Sequence, residues 1–386
     1  MKILYHHRTQ AEDGQAVHIR SLIGAFRSLG HELREEALVP RMDKAELVPS
    51  RGADQADAWP LMNYVPTFLR EIAEYGYSVP AGRRLLRAQA EFGADFIYER
   101  YAFGNVAGIR ASEKLGVPIV LEVNSPMVHE LMLTRGLAFP RMAKRVEGKI
   151  FRSATRVSVV SAVLGKMVEE CGVPPERIVV TPNGVHLELF DSPNPAEARA
   201  DLGIANVDGP VLGFVGYFRE WHGLEMVIEG LASEGLREAH LVLVGYGPAE
   251  ESLRQAAERC RVADRVHFPG PRKHPDIPAV LPAFDVGLVP AINAYASPLK
   301  LQEYMAAGLP TVAPDQPNLR EVLTHGEDGL LFEPGSSAAL VAALSDLVGD
   351  ESQRRRLGAA ARQTILDKDL TWQGIARRII RVVESL

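Results

Sequence analysis

Residues 285–314 read DVGLVPAINAYASPLKLQEYMAAGLPTVAP, which is an apolar run, a polar loop, a helical pattern and a second apolar run. Ser297 is a favoured N-cap residue and Pro298 suits the first helical position, so we predict that a helix begins here. The flanking runs DVGLVPA and PTVAP are typical of strands buried on both faces. The stretch therefore predicts a strand–helix–strand unit of the kind that builds parallel sheets.

The same alternation runs along the whole chain. Residues 2–7 (KILYHH) predict the first strand, and residues 16–30 predict the helix after it, which Gly30 ends. Further strands are predicted at 94–100, 117–124, 155–161, 177–184, 210–218, 240–247, 265–270, 285–291, 310–314 and 329–334. Two successive α/β units are the simplest account, with a join in the Pro-, Asp-, Asn- and Gly-rich residues 188–210.

Composition agrees with two domains and disfavours several classes of protein. The chain has 386 residues, is 46% hydrophobic and 24% charged, and carries a net charge of −6, which disfavours general nucleic-acid binding. Cys171 and Cys260 lie far apart and lack the neighbouring ligands of a metal site. The first residues pass directly into a strand, and no apolar run approaches the roughly 20 residues of a membrane-spanning helix. We therefore expect a cytoplasmic protein without a signal peptide.

Unusual residues occur in loops that follow predicted strands, where open α/β sheets bind ligands. The loop GYFREWHG at 216–223 offers Gly216 for a close backbone approach, together with Arg219 and the titratable His222. Taken alone, this loop is better explained as an ordinary turn with a solvated arginine. A second loop, VGYG at 244–247, is explained equally well by phosphate contact and by tight packing.

Lys300 and Glu303 lie three residues apart at the start of the predicted helix, on one side of it. A helix N-terminus and a lysine suit a phosphate, whereas a carboxylate suits two adjacent hydroxyls such as those of ribose. The pair is consistent with a nucleoside diphosphate, its phosphate at Lys300 and its ribose at Glu303. An intrahelical ion pair, worth only about 0.2–0.5 kcal/mol, explains the spacing equally well.

Four segments bear on this choice through resemblance. SPLKLQEYMAAGLPTVAP (297–314), VTPNGVHLELF (180–190) and LREVLTHGEDGLLFEPG (319–335) resemble the large retaining glycosyltransferase family 4, and DGQAVHIRSLIGAFRSLGHEL (13–33) resembles its first loop and helix. The resemblance covers nearly the whole chain in order. It implies the GT-B fold, an α/β fold of two Rossmann-like domains facing across a cleft. The implied parts are an acceptor domain at 1–190, a nucleotide-sugar donor domain at 209–366, and a final helix at 367–386 that packs back on the first domain.

The resemblance implies roles for individual residues. Glu303 corresponds to the second glutamate of the family's E-x7-E signature, which holds the nucleotide ribose. Leu299 and Lys300 correspond to positions whose backbone amides hold the distal phosphate. The other predicted donor-binding positions are Gly14, Gly216, Pro271, Asn293 and Pro298.

The chain departs from the family pattern in the first loop of the donor domain. The arginine and lysine usual there correspond to Tyr217 and His222. We expect Arg219 and Lys300 to replace the lost charge, with His222 contributing when a bound diphosphate raises its pKa.

Further departures concern the donor sugar and the acceptor. The first glutamate of E-x7-E falls at Tyr295, so we expect Asn293 to contact the sugar instead. The histidine often found after a strand of the first domain is replaced by EVNSP (122–126). An ordinary exposed loop explains each acceptor candidate about as well as a functional role does. The acceptor candidates are Glu99, Glu122 and Asn124.

The resemblance implies retaining transfer, and we predict that it needs neither metal nor cofactor. The predicted catalytic set is Arg219, His222, Lys300 and Glu303, because positive charge and preorganised donors stabilise a leaving diphosphate. If the leaving phosphate takes the acceptor proton, no protein base is required; Glu122 is the alternative base. We expect a UDP-sugar donor, with GDP as the second choice. The acceptor is a sugar, a lipid-linked glycan or a small molecule, in polysaccharide or glycolipid synthesis.

Residues 141–156, RMAKRVEGKIFRSATR, predict a basic amphipathic helix. Such a helix is able to lie on an anionic membrane, which would place the protein at the inner membrane face. A solvated basic face over a packed apolar face is the preferred interpretation.

Two other classes of function remain open at this level. A sugar-nucleotide epimerase of the same architecture needs acid/base groups around the sugar and does not require the Lys300–Glu303 pattern. A non-catalytic two-lobed binding protein fits the domain count, but the predicted absence of a signal peptide disfavours it.

Overall fold

The structure is a computed structural model that describes residues 1–10, 14–38 and 65–386. Part of the loop predicted after the first strand, residues 11–13, lies outside the described residues. The chain divides into two compact units. Unit 1 comprises Met1–Pro182 and Trp372–Leu386, and unit 2 comprises Asn183–Thr371. Each unit contains a six-stranded parallel sheet, so the predicted α/β class is confirmed.

Unit 1 carries helices between most of its successive strands, as the alternation of patterns predicts. Its elements are β1 (Lys2–His7), α1 (Gly14–Ser28), β2 (Glu32–Ala37), α2 (Thr67–Gly76), α3 (Ser78–Phe92), β3 (Phe96–Arg100), α4 (Ala107–Leu115), β4 (Ile119–Val123), α5 (Met127–Thr134), α6 (Pro140–Ser153), β5 (Arg156–Val159), α7 (Ala162–Glu170) and β6 (Ile178–Val180).

Unit 2 repeats this order. Its elements are α8 (Pro195–Asp201), β7 (Val211–Tyr217), α9 (Leu224–Gly230), β8 (His240–Tyr246), α10 (Glu250–Arg259), β9 (Val266–Gly270), α11 (Ile277–Val280), β10 (Val286–Leu288), α12 (Leu299–Ala306), β11 (Thr311–Pro314), α13 (Pro317–Arg320), β12 (Gly329–Phe332), α14 (Ser337–Gly349) and α15 (Glu351–Asp367). The last helix, α16 (Trp372–Glu384), belongs to unit 1.

In each sheet the chain order reverses once, between β1 and β3 in sheet 1 and between β10 and β7 in sheet 2. Sheet 1 runs β2-β1-β3-β4-β5-β6, and sheet 2 runs β12-β11-β10-β7-β8-β9. In β7, Val211 packs into one apolar cluster of unit 2 and Leu212 into the other. Because successive side chains of a strand point to opposite faces, both faces of sheet 2 are covered by core.

Each strand predicted from the sequence is present, but the structure adds β2, with the sequence ELREEA. Among the described residues, β2 lies at the edge of sheet 1 and pairs only with β1. An edge strand tolerates charge: Arg34 bonds Glu36 on the same strand and Glu91 on α3. Most residues of β2 are only half-buried, so the strand has no apolar run. The sequence pattern therefore does not reveal it.

The division between the units falls between Pro182 and Asn183, earlier than the predicted join at 188–210. The backbone N–H of Asn183 donates to Ser297 Oγ at 3.1 Å, and Phe190 lies in a unit 2 core. Residues 183–190 therefore pack with the second domain. The return to unit 1 begins at Trp372 instead of residue 367, because α15 continues to Asp367.

Helix α16 packs against unit 1 on its amphipathic face. Trp372 is almost completely buried, and its ring meets that of His18 on α1 edge-on, with 5.0 Å between ring centres. Arg378 donates to the carbonyl of Val180 at 3.1 Å. In the part of the chain that the structure describes, no helix combines the length and apolar character needed to cross a membrane.

Candidate active site

The reversal of strand order in sheet 2 lies between β7 and β10. Open α/β sheets bind their ligands at the carboxyl ends of the strands beside this reversal. Helix α12 follows β10, so its N-terminus lies at that edge, and the loop after β7 lies there as well. Topology alone therefore brings the segments of Gly216, Arg219, His222 and Lys300 to one place.

Lys300 lies over the end of β7. Its side chain is half-buried, and its ammonium nitrogen lies 3.7 Å from the centre of the Phe214 ring. A Cβ atom at Gly216 would stand 3.0 Å from Lys300 Nζ, and Gly216 has φ +147°. The glycine is required here both for its backbone conformation and for the space that the lysine occupies.

The lysine ammonium has no carboxylate partner among the described residues, and the intrahelical Lys–Glu pair is not formed. Burial lowers the pKa of Lys300 to about 7, although the charge of Glu303 acts in the opposite direction. A desolvated ammonium group without an ion pair is prepared for an anion, which would restore its usual pKa.

The N-terminus of α12 carries no side-chain cap. Pro298 is the N-cap residue and Leu299 the first helical residue, so the prediction of Ser297 as N-cap is wrong. The hydroxyl of Ser297 instead accepts from Asn183 N–H at 3.1 Å and from the Gln302 side chain at 3.2 Å. These contacts hold the entry to the helix while leaving its first N–H groups available to a ligand.

Glu303 lies one turn further along α12 and pairs with a residue from the segment that follows β9. Its Oε1 lies 2.6 Å from His274 Nε2, and 12% of its side chain is exposed. His274 belongs to the segment after β9, which also contains the exposed Pro271. The carboxylate is therefore held in place near the edge of the sheet, and no described residue donates to its Oε2.

The loop after β7 places two further predicted residues near Lys300. The guanidinium carbon of Arg219 lies 4.9 Å from the centre of the Tyr217 ring. His222 is buried against Phe214. Burial and the positive charges of Lys300 and Arg219 lower the pKa of His222 to about 3, while a hydrogen bond with the backbone of Tyr217 acts against this.

With this pKa His222 is neutral at pH 7. Its predicted contribution of positive charge requires a bound diphosphate to raise the pKa, and it stays a prediction. Its Nδ1 is buried and has no hydrogen-bond partner within the described part of the chain. The positive charges of Lys300 and Arg219 oppose its protonation. Within the loop after β7 and the first turn of α12, the positive charge comes from Arg219 and Lys300.

Residues 244–246 of the VGYG stretch, predicted as part of a loop, belong to β8, and close packing explains the stretch. A Cβ at Gly245 would stand 1.9 Å from the carbonyl oxygen of Gly216. Since Gly245 also has φ +148°, any other residue would both strain the backbone and push β8 away from β7. The glycine thus positions the site without belonging to it.

Asn293 lies in the exposed loop between β10 and α12. Its side-chain amide donates to the hydroxyl of Tyr295 at 3.2 Å. Asn318, buried at the start of α13, donates to the carbonyls of Asn293 at 3.2 Å and Ala296 at 2.7 Å. Asn318 therefore fixes this loop, which is a positioning role that the sequence did not reveal.

Glu122, at the carboxyl end of sheet 1, is surrounded by donors. The Tyr98 hydroxyl donates to it at 2.8 Å, His18 Nε2 lies 3.2 Å away, and Arg100 and the Asn124 amide also bond it. Burial alone would raise the pKa of Glu122, but the charges of His18 and Arg100 outweigh burial and hold it well below its usual value. A buried carboxylate with four partners is a poor proton acceptor, so the structure disfavours Glu122 as a base.

Glu99, the other acidic candidate for the acceptor, is also buried. It bonds Nδ1 of His6, accepts from the N–H of Gly108 at 3.0 Å, and lies 3.4 Å from the Asn105 amide. A Cβ at Gly108 would collide with it. Glu99 is therefore enclosed by β1 and the start of α4 and does not present its carboxylate to solvent. Gly14, by contrast, is exposed as the first residue of α1.

Arg8, at the carboxyl edge of sheet 1, was not predicted from the sequence. It follows β1 directly, and its guanidinium carbon lies 4.9 Å from the centre of the Tyr77 ring. Arg84 donates to the hydroxyl of the same tyrosine at 3.0 Å. Within the described ranges, Arg8 forms no ion pair. The sequence signal that would have identified Arg8 is a basic residue directly after the first predicted strand.

The basic stretch predicted at 141–156 forms α6, which ends at Ser153, and Arg156 begins β5. Ile150 and Phe151 are buried in unit 1, so most of the apolar side is used by the core. The exposed basic residues of the helix are Arg141, Lys144, Arg145, Lys149 and Arg152. The preferred interpretation, a basic face over a packed face, describes this helix.

The described residues contain no group of three or more His, Cys, Asp or Glu side chains arranged to hold a metal ion.

Comparison with solved structures defines the class of the fold. HepE of Anabaena, solved in complex with UDP, matches over 100% of both chains with a TM-score of 0.75 at 20% identity. Two Rossmann-like units of this kind constitute the GT-B fold of glycosyltransferases, as expected from the sequence.

Sequence comparison gives the family. The model of Glycosyltransferase Family 4 matches residues 13–189, and that of Glycosyl transferases group 1 matches residues 197–364. A D-inositol 3-phosphate glycosyltransferase of Xylanimonas cellulosilytica is 28% identical over 299 residues, 72% of this chain and 70% of that protein. A phosphatidyl-myo-inositol mannosyltransferase of Mycobacterium leprae is 31% identical over 210 residues, 54% of each chain. The chain belongs to the group 1 glycosyltransferases of family 4 and is an enzyme. The alternative of a non-catalytic two-lobed binding protein is therefore wrong. The alternative of a sugar-nucleotide epimerase gains no support.

Proposed function

We propose that this enzyme transfers a sugar, with retention of configuration, from a UDP-sugar bound at the carboxyl edge of sheet 2. The observation that carries the proposal is the start of α12. There an uncapped helix N-terminus, an unpaired lysine ammonium and a held carboxylate follow one another within five residues. Each group suits a different part of a nucleoside diphosphate.

The diphosphate is assigned to Lys300 and the first N–H groups of α12. Helix N-termini bind anions through unpaired N–H groups and the helix dipole. Lys300 adds a full charge in a desolvated position, and Arg219 adds a second charge from the loop after β7. During transfer, negative charge grows on the leaving diphosphate, and these groups stabilise it.

The ribose is assigned to Glu303. Its carboxylate is an acceptor for hydroxyl donors, and its contact with His274 fixes its direction. We propose UDP as the nucleotide because HepE, which shares the fold, was solved with UDP, and GDP remains the second choice. A thermal-shift series with UDP, GDP, ADP and dTDP ranks them, because stabilisation grows with the logarithm of concentration over affinity.

The chemistry is proposed to proceed without metal and without a protein base. Glu122 is held ionised by four partners, so the leaving phosphate is the better proton acceptor for the incoming hydroxyl. Retention predicts that the anomeric configuration of the donor reappears in the product, which NMR of the product determines. Unchanged turnover after treatment with a chelator is expected.

The acceptor is proposed to bind unit 1 at the carboxyl edge of sheet 1, near Asn124 and Arg8. The relatives are named for inositol phosphate and phosphatidylinositol acceptors, which favours a hydroxylated acceptor that carries phosphate, as in glycolipid synthesis.

Glu303→Ala is expected to remove discrimination for the ribose hydroxyls. Wild-type enzyme should bind UDP about 10–100-fold more tightly than 2′,3′-dideoxy-UDP, because hydrogen bonds to a charged group contribute about 1.5–3 kcal/mol. Calorimetric titration of both ligands measures the ratio, which should fall close to one in the variant. Glu333→Ala, an exposed glutamate of unit 2, is the matched control and should retain the ratio. An unchanged ratio in Glu303→Ala would place the ribose elsewhere.

UDP affinity is expected to fall as the pH rises from 7 to 9. Burial lowers the pKa of Lys300 to about 7, and a bound diphosphate raises it, so binding takes up a proton in this range. Linkage limits the loss to about ten-fold per pH unit. The second ionisation of phosphate, near pH 6, is complete here and does not contribute.

Titration calorimetry in two buffers of different ionisation enthalpy measures the proton uptake directly. Lys300→Arg, which stays charged throughout, should bind UDP without this pH dependence. Affinity that is independent of pH in the wild-type enzyme, with no proton uptake, would contradict the assignment of the diphosphate to Lys300.

A further inference from the structure

A cavity of about 410 Å³ lies in unit 1 between α5, α6 and α7. Its walls are apolar side chains from all three helices, and the active site of sheet 2 uses none of them. The apolar wall consists of Val128, Met132, Phe151, Leu164, Met167 and Val168. Ligand sites measure roughly 300–1,000 Å³, and the volume of this solvent-open cavity lies within that range. Its size therefore suits a ligand.

The cavity lies beside the edge of sheet 1 where open α/β sheets receive ligands. Val123, the last residue of β4, and Pro126, the N-cap residue of α5, both line it. Asn124 lies between them in the sequence and bonds Glu122. The cavity thus adjoins the segment that we assign to the acceptor.

The basic face of α6 lies beside the opening of the cavity. Lys144 lines the cavity and is exposed on α6, whose exposed charged side chains are all basic. The one acidic residue of that helix, Glu147, also lines the cavity but is buried, accepting from the Tyr101 hydroxyl at 2.9 Å and from Val128 N–H at 3.2 Å. Exposed His129 and Glu170 complete the charged rim, and Glu170 is its exposed acid.

Apolar surface continues from the cavity to the outside. Met132, at the wall, is 42% exposed, and its neighbour Leu133 is 74% exposed. Phe139 and Met142, at the start of α6, are also exposed. Exposed apolar side chains beside basic ones are typical of surfaces that meet amphiphiles.

We propose, as a deepening of the proposed function, that this cavity binds the hydrocarbon chain of an amphiphilic acceptor whose anionic group lies against Lys144. The enzyme would then select acceptors by the chain as well as by the reacting hydroxyl. The chain comes either from a lipid in a bilayer or from a soluble amphiphile, and both present the same chemistry to the cavity.

The test is calorimetric titration of the full chain with n-decyl phosphate below its micellar concentration. Wild-type enzyme should bind one molecule saturably. Met167→Trp, which fills the cavity, should weaken binding at least about ten-fold, because several methylene groups lose their burial. Met132→Trp should also weaken binding, and Met132 lies at the partly exposed mouth of the cavity, where a larger side chain is tolerated.

Lys144→Glu should weaken binding about three- to ten-fold through the loss of attraction for the phosphate. Lys149→Glu is its matched control, since it reverses the same charge on the same helix outside the cavity, and it should change affinity less than about two-fold. Absence of saturable binding, full binding by both tryptophan variants, or equal losses in the two charge reversals would overturn the proposal.

Sedimentation with phosphatidylglycerol vesicles separates the two sources of the chain. Vesicle binding that Met167→Trp abolishes assigns a bilayer lipid, and decyl phosphate binding without vesicle binding assigns a soluble amphiphile; either supports the site. UDP-induced thermal stabilisation should be normal in all cavity variants. Its absence in the wild-type enzyme would instead count against the proposed function.

Discussion

Replacing Lys300 with methionine is expected to lower kcat/KM for the UDP-sugar by about 10²–10³. Loss of one preorganised group that stabilises developing negative charge has an effect of this size. Methionine keeps an unbranched apolar stem over the ring of Phe214, so the local packing should persist. Steady-state kinetics of nucleotide release measures the loss, and UDP-induced thermal stabilisation should fall with it.

The stability of the same variant provides an independent check. The ammonium group of Lys300 is desolvated and has no carboxylate partner in the described part of the chain, which costs free energy in the empty enzyme. Lys300→Met should therefore melt at the wild-type temperature or higher while it loses activity, the pattern expected where function requires a destabilised group. Lys114→Met, an exposed lysine on α4, should change neither property. A decrease in activity of less than about five-fold would show that the leaving group is stabilised elsewhere.

The position of Lys300 was predictable because the evidence for it is local. A strand, a short loop and a helix start are encoded in consecutive residues, and the parallel sheet places them at one edge. Gly216 was predictable for the same reason. The apolar periodicity that identified β1 and α16 is likewise a property of short segments.

The partners of the site residues were not predictable, because they come from distant parts of the chain. Glu303 meets His274 from the segment after β9, and Ser297 is held by Asn183, 114 positions earlier in the sequence. Spacing along one helix suggested an ion pair with Lys300, but the fold supplied a different partner. His222 shows the same limit, since its low pKa depends on burial and on nearby positive charges, which only the fold provides.

Glu122 shows how a residue selected from the sequence acquired a different role in the structure. A carboxylate at the end of a strand was an acceptable acceptor ligand or base by residue type alone. Its neighbours Tyr98 and Arg100 lie on β3, and His18 lies on α1. With them, Glu122 is the centre of a buried polar network. Selection by residue type finds the position but not the function.

Glu122→Ala is therefore expected to destabilise unit 1 by about 3–5 kcal/mol, because it leaves the buried Arg100 without a counter-charge. A loss of this size should lower the melting temperature of unit 1 by about 6–20 °C, measured by scanning calorimetry. Glu91→Ala removes the partly exposed pair with Arg34 and should cost at most about 1 kcal/mol. Glu122→Gln keeps the side-chain volume and some hydrogen bonds, so its loss of stability should lie between those of Glu122→Ala and Glu91→Ala.

The contribution of Glu122 to the stability of unit 1 should depend on pH. Because the folded state holds the pKa of Glu122 well below its ordinary value of 4.5, its stabilisation is present above pH 4.5 and is lost as the pH falls below it. The difference in melting temperature between wild-type enzyme and Glu122→Ala should therefore shrink in acid. A variant that melts like the wild-type enzyme but has lost turnover would instead show that the Glu122 carboxylate acts in the transfer step, and the assignment of proton acceptance to the leaving phosphate would then be wrong.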